Sequence, residues 1–263
     1  MTEFYSLPNT GEFWHWTNAL HFVLVGLAGG MALLAAILTL RQHPERNRYL
    51  WLAALLIVLD LFVLWAESPA RWRFSHVWLF LGLHPSAPIW WGAWGLALSL
   101  VATLAVVLKP WVGFLRRIPE QLPGLLLLLG SLVALAYPGF ALAVNTTRPL
   151  WNSMMLFLFP ITALLMVLAV ALLLGSEWAR RWESWAAVLS LGLLVAYPFT
   201  LPEAARTHLL HEGLLGYALA GLLIAVAALL FRNPRWAAAL GLAGAVGLRW
   251  VLVMVGQFQS PGL

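Results

Sequence analysis

The sequence predicts an all-α, polytopic integral membrane protein: eight transmembrane helices in two packed bundles, with both termini on the outer side. Three observations carry that prediction. Of 263 residues, 62% are hydrophobic and only 10% are charged, with a mean hydropathy of +0.87, whereas soluble domains carry about 25% charged residues. Apolar runs of about 20 residues, the length that crosses a hydrocarbon core, recur along the chain. Prolines and basic residues fall between those runs, where turns and loops need them.

The runs occur at 14–40, 50–67, 88–108, 122–144, 150–174, 184–201, 211–231 and 236–257. The first has no Asp, Glu, Lys or Arg from Trp14 to Leu40 and ends before Arg41 and Pro44. No Lys or Arg precedes it, and it is longer than the h-region of a signal peptide, so it is read as a retained helix. The second carries Asp60 near its middle and closes at Glu67-Ser68-Pro69. Pro85 precedes the third run and Pro110 follows it; Pro123 lies at the start of the fourth. Pro149 opens the fifth, in which Pro160 is an internal exception and a candidate kink. Pro202 separates the sixth from the seventh, and Pro234 separates the seventh from the eighth, which carries Arg249. The whole of 1–263 reads as one integral membrane domain, divisible into four-plus-four helix halves at 1–144 and 145–263.

An even number of spans sorts the loops into two sets. One holds Arg41, Arg46, Arg48, Lys109, Arg116, Arg117, Arg180, Arg181, Arg232 and Arg235; the other holds Arg71, Arg73, Arg148 and Arg206. The positive-inside rule assigns the richer set to the cytoplasm, and it accounts for the net charge of +5 without nucleic acid. Tryptophans cluster at both sets of helix ends, as aromatic belts do. Arg71 to His84 is too short to span and reads as an outer interfacial segment, a candidate docking surface for a peripheral subunit. Ser131 to Pro138 and Ser190 to Pro198 share a Ser…Tyr-Pro pattern beginning 59 residues apart. An old duplication and two Leu-rich helices that end alike explain that echo equally well.

The polar residues inside the spans carry the functional argument. Asn18 and His21 are three residues apart, hence on one helix face. Tyr137 lies at a similar depth below the outer end of the fourth helix. An imidazole, an amide and a phenol at one level suit a quinone headgroup, whose two oxygens need donors and whose reduced form must lose protons. In that reading His21 accepts the proton, Asn18 is its companion and Tyr137 serves the opposite oxygen. Leu24, Val25, Ala28, Gly29 and Gly30 offer an apolar, small-residue surface for an isoprenoid tail. The competing reading makes the three polar groups interhelical glue. Asp60 and Arg249 read as a buried ion pair; the alternative makes Asp60, Glu67, Glu212 and Tyr217 a proton path. No second histidine stands opposite His21 at depth for bis-histidine haem ligation, and the chain has no cysteine for an iron–sulfur cluster. Electrons taken from a quinol would therefore leave for a cofactor on another subunit.

Trp14-His-Trp-Thr-Asn-Ala-Leu-His21, Leu64-Trp-Ala-Glu-Ser-Pro-Ala-Arg71, His84-Pro85 with Pro88-Ile-Trp-Trp-Gly-Ala-Trp94, Tyr137-Pro-Gly139 and Arg148-Pro-Leu-Trp-Asn152 resemble the NrfD/PsrC-type membrane subunit of polysulfide reductase. The resemblance covers nearly the whole chain. It implies an eight-helix subunit of a bacterial inner membrane, termini in the periplasm, that oxidises menaquinol near the periplasmic face. It implies an iron–sulfur partner and a molybdopterin catalytic partner that reduces polysulfide. By matching motif, Asn18, His21 and Tyr137 would bind the quinone, with His21 and Tyr137 in the chemistry. Glu67 and the membrane-embedded acids would serve a proton path, with a departure at His211-Glu212. The remaining readings are a bare membrane anchor, and a proton or small-solute transporter, which would favour broken helices and a midplane pocket.

Overall fold

A computed structural model describes residues 15–67, 85–145, 147–230 and 233–257. The segment from Arg71 to His84, expected at the outer interface, lies outside the described residues, as does the Glu67 side chain. Among the described residues eight helices are long and apolar enough to cross a membrane. They are α1 (Trp16–Leu40), α2 (Arg46–Glu67), α3 (Pro88–Val107), α4 (Gln121–Ala143), α5 (Met155–Leu173), α6 (Ala179–Ala196), α7 (Glu203–Leu229) and α8 (Pro234–Val255).

Their limits differ from the apolar runs for physical reasons. Helices α2 and α6 start four and five residues earlier than expected, through Arg46-Asn47-Arg48 and Ala179-Arg180-Arg181. Apolar length measures only the part of a helix in hydrocarbon, and polar first turns project beyond it. Helix α5 starts later, at Met155, because Asn152 Oδ1 accepts the Met154 N–H at 3.0 Å and closes a turn there. Helix α6 tightens into a 3₁₀ turn at Tyr197–Thr200, where Pro198 removes a donor. Helix α7 begins after Pro202 and passes through a π-helical turn at Leu209–Gly213. Pro138 joins Pro160 as an internal helix proline.

Neighbour relations form two rings. Helix α1 packs on α2, α2 on α3, α3 on α4 and α4 on α1; α5, α6, α7 and α8 close a second ring in the same order. The rings meet where α1 touches α5 and α8 and where α4 touches α5. The Ser…Tyr-Pro echo falls on α4, the last member of one ring, and α6, the second member of the other. The two segments lie two helices apart in the chain and run in the same direction across the membrane.

Helix α1 is the shared wall, and its glycines make that position accessible. A methyl group at Gly29 would lie 3.0 Å from the Leu135 backbone of α4, and one at Gly30 would lie 2.7 Å from Val167 of α5. One at Gly26 would collide with the Arg249 guanidinium of α8. Three neighbours thus approach within one stretch of α1, as small-residue packing in membranes allows. The same contacts overturn one expectation: Ala28, Gly29 and Gly30 are buried against protein and present no groove to an isoprenoid tail.

At the face where α1 ends, termed distal, side chains bind the loops together; the face where α1 begins is termed proximal. Glu45 accepts hydrogen bonds from Ser176 Oγ and Trp178 Nε1, each at 2.8 Å, and Tyr49 meets the Ser176 hydroxyl at 2.6 Å. Arg48 donates to the Leu174 carbonyl at 2.6 Å. The α1–α2 turn of one ring is thereby tied to the α5–α6 turn of the other. The Trp178 and Ser176 hydrogen bonds hold the Glu45 carboxyl below its ordinary value of 4.5. A carboxyl lowered on folding contributes stability above that value and loses it as pH falls through the folded pKa. Melting temperature should therefore fall on acidification below about pH 4.5. Glu45→Gln should flatten that acid limb and cost about 1 kcal/mol at neutral pH, measured by thermal unfolding in detergent. An unchanged limb would show that the tie does not carry it.

Candidate functional site

The start of α1 sets the site. His15 precedes the first helical residue, and Asn18 reaches back so that its Oδ1 accepts the His15 backbone N–H at 3.0 Å. This reach-back satisfies a donor that has no partner within the helix. The half-buried Asn18 carboxamide therefore sits at the helix mouth, with Nδ2 donating to no described residue. His21, one turn deeper and three residues on, is 3% exposed.

Both ring nitrogens of His21 are engaged. Nδ1 lies 2.7 Å from Asp60 Oδ1 of α2, and Nε2 lies 3.2 Å from the Tyr137 hydroxyl of α4. Nδ1–H donating to the carboxylate and Nε2 accepting from the phenol form a consistent set, since a carboxylate offers only acceptors and a phenol carries a donor. A line of three side chains from three helices runs Tyr137–His21–Asp60. Asp60 is fully buried and its second oxygen, Oδ2, has no hydrogen-bond partner among the described residues.

Aromatic and small residues hold the line in place. The Phe22 ring stacks on Tyr137 at 6.3 Å and meets Phe159 of α5 edge-on at 5.9 Å. The Tyr137 ring covers Gly92 of α3, where a methyl group would stand 2.6 Å from the ring. Pro138, immediately after, leaves the Ala134 carbonyl without its helical donor, and Gly29 and Gly95 pack against that turn.

Arg249 does not pair with Asp60, contrary to the sequence expectation. Its Nε donates to Thr162 Oγ1 at 3.1 Å, and its two terminal nitrogens donate to the carbonyls of Phe22 and Phe159. The guanidinium also lies 4.7 Å from the centre of the Phe159 ring. The reason is spatial: α1 packs on both α2 and α8 and separates the two charges. Nor are these residues near midspan. Asp60 and Arg249 lie seven and six residues from the proximal ends of their helices, about 10 Å deep at 1.5 Å per residue. They share one layer with His21, Tyr137 and Thr162.

The other expected groups are scattered. Glu212 and His211 are exposed on the π-helical turn of α7, a helix that packs on α6 and α8. The Tyr217 hydroxyl donates to the Leu194 carbonyl at 2.5 Å. Pro198 has no N–H for that carbonyl, so Tyr217 fills a gap in α6. Around Arg148-Pro-Leu-Trp-Asn152, Trp151 Nε1 donates to Leu252 O at 2.9 Å, Asn152 Nδ2 to Thr200 Oγ1 at 2.8 Å, and the Tyr197 hydroxyl to the Leu150 carbonyl. This loop ties the proximal ends of α6 and α8, and burial pushes the Arg148 guanidinium below its ordinary value.

Sequence reasoning placed His21 and Tyr137 on opposite sides of a headgroup; at 3.2 Å they contact each other, which leaves no room for a ring between them. It did not join Asp60 to His21, although Asp60 lies seven residues from the proximal end of α2 and Tyr137 six from that of α4. Phe22, Gly92 and Thr162 were not singled out, because apolar and small residues carry no chemical signal of their own in an apolar helix.

Chemically, the arrangement can pass a proton from the Tyr137 oxygen to His21 Nε2 while Asp60 stabilises the imidazole that receives it. No curated protein matches the chain. A family model described as polysulfide reductase, of the NrfD type, matches residues 1–260. With nearly its whole length matched and eight membrane-spanning helices around this layer, the chain belongs to the NrfD-type polysulfide reductase family.

Proposed function

We propose that this chain is the quinol-oxidising membrane subunit of a molybdopterin oxidoreductase. It takes menaquinol at the proximal face, which the loop charges assign to the periplasm, and passes the electrons to an iron–sulfur partner that feeds polysulfide reduction. The observation that carries the proposal is the buried line Tyr137–His21–Asp60. Ionisable side chains buried at membrane depth generally mark a ligand or proton site, and here they bond in series across three helices.

The residues fit a quinol. Tyr137 Oη, 3.2 Å from His21 Nε2, is the group that would hand a headgroup proton to that nitrogen. Asn18 Nδ2, one turn nearer the proximal face, supplies a donor to the remaining oxygen. When bound, the quinol supplies two electrons and two protons. Tyr137 takes one proton from the nearer headgroup hydroxyl as its own proton moves to His21 Nε2, and the second proton leaves the other hydroxyl to water at the proximal face beside Asn18. Asp60 keeps the imidazole oriented and compensates the charge it gains. The electrons leave for the partner's cluster, since this chain has no thiolate ligands for one. Arg249 holds the Phe22 carbonyl, and hence the turn of α1 that carries His21.

Tyr137→Phe and His21→Gln should each lower the turnover of quinol oxidation by about 10²-fold or more in the complex purified with its partners, while partner association is retained. Wild-type turnover in Tyr137→Phe would reduce the three residues to interhelical glue.

The reading extends to proton movement through Asp60, whose Oδ2 is the open end of the line, toward Glu67 at the end of α2. Glu212, exposed in the other ring, and Arg249, occupied by carbonyls, fit such a path less well. In vesicles, Asp60→Asn should lower the number of protons moved per electron in the residual quinol turnover. Unchanged stoichiometry with intact oxidation would exclude Asp60 from the path.

A further inference from the structure

The distal ends of α2, α3 and α4 enclose a cleft that the quinol chemistry does not use. Helix α2 opens with Arg46 and presents Trp51 one turn later; α3 leaves through Lys109-Pro110-Trp111 toward a 3₁₀ turn at Leu115–Arg117. That connection is clasped crosswise. Lys109 Nζ donates to the Ile118 carbonyl at 2.8 Å, and Arg116 donates back to the Pro110 carbonyl. Glu120 receives Arg46 at 2.6 Å and lies 3.7 Å from Lys109. Arg46, Lys109, Arg116, Glu120 and the tryptophans Trp51 and Trp111 line a cavity of about 590 Å³, and an adjoining one of about 570 Å³ shares Arg46 and Glu120.

Three features define what fits. Three cations face one carboxylate, so the cleft keeps a net double positive charge, and each cation has donors beyond the bond that fixes it. The wall below is apolar: Trp51 and Trp111 are 53% and 69% exposed, and Leu55, one turn along α2 from Trp51, is 63% exposed. The cleft also lies at the end of the helices that carries the excess of basic residues, where anionic headgroups are concentrated. A free anion would use the charges and leave the tryptophan wall idle; an amphiphile uses both.

We propose that this cleft binds the headgroup of an anionic glycerophospholipid, with the phosphodiester among Arg46, Lys109 and Arg116 and the acyl chains descending along Trp51 and Leu55. The assignment rests on the loop-charge reading that this face is cytoplasmic, and it is independent of quinol binding at the opposite face.

The test uses the complex purified in detergent, titrated with phosphatidylglycerol, phosphatidylcholine or inorganic phosphate, and followed by native mass spectrometry and melting temperature. Phosphatidylglycerol should be retained and raise the melting temperature, with little effect of the other two. The Lys109→Gln/Arg116→Gln double variant should lose at least tenfold in phosphatidylglycerol retention and keep its quinol turnover. Arg41→Gln/Arg181→Gln, which removes the same charge elsewhere on that face, should retain the lipid. Equal retention of phosphatidylcholine, an equal effect of phosphate, retention by the first double variant or loss in the control would each overturn the proposal.

Discussion

The approach of α1 to its neighbours is the constraint on which the rest depends. Lipid tails are as apolar as leucine, so helices in a membrane gain from close packing and internal hydrogen bonds more than from expelling water. Gly26, Gly29 and Gly30 let α8, α4 and α5 reach α1 at short range. Only at that distance do the Arg249 donors reach the Phe22 carbonyl and the Tyr137 hydroxyl reach His21. The polar layer follows from the glycines; with a side chain at any of the three, a neighbouring helix or side chain would have to shift.

Proline and tyrosine show how the same local signal serves different ends. In α6, Pro198 strips a carbonyl of its donor, and Tyr217 from α7 supplies a hydroxyl. The preceding Tyr197 is spent on the Leu150 carbonyl, so both phenols are structural. In α4, Tyr137 precedes Pro138 in the same dipeptide, yet its hydroxyl points at an imidazole. What separates the two is the facing helix: α1 offers a side-chain nitrogen, whereas the loop before α5 offers a backbone carbonyl. A buried hydroxyl takes the partner it can reach.

Most of the fold was legible, because apolar length and proline punctuation are direct consequences of the bilayer. The site was legible in part. His21 and Tyr137 stood out as polar atoms in apolar segments, and counting from helix ends put them at one depth. The same count applied to Asp60 reaches the same layer, but opposite charge drew it toward Arg249. Pairing by charge is misleading here, since a helix stands between the two and backbone carbonyls satisfy the guanidinium. The glycines under Tyr137 and Arg249 were illegible for another reason: a missing side chain acquires meaning only once the group that fills its space is known.

Arg249 and Phe22 lie 227 positions apart in the chain, and that separation bears on biogenesis. Helix α1 leaves the ribosome first and α8 last, so at about 5–20 residues per second the turn carrying His21 waits tens of seconds for the side chain that secures it. During that interval Asp60 and Tyr137 have already arrived, and the first ring can close around the imidazole without the second. Synthesis thus builds the chemical line before the brace that steadies it, and arrival of the eighth helix is the step that turns a collection of inserted segments into one rigid site.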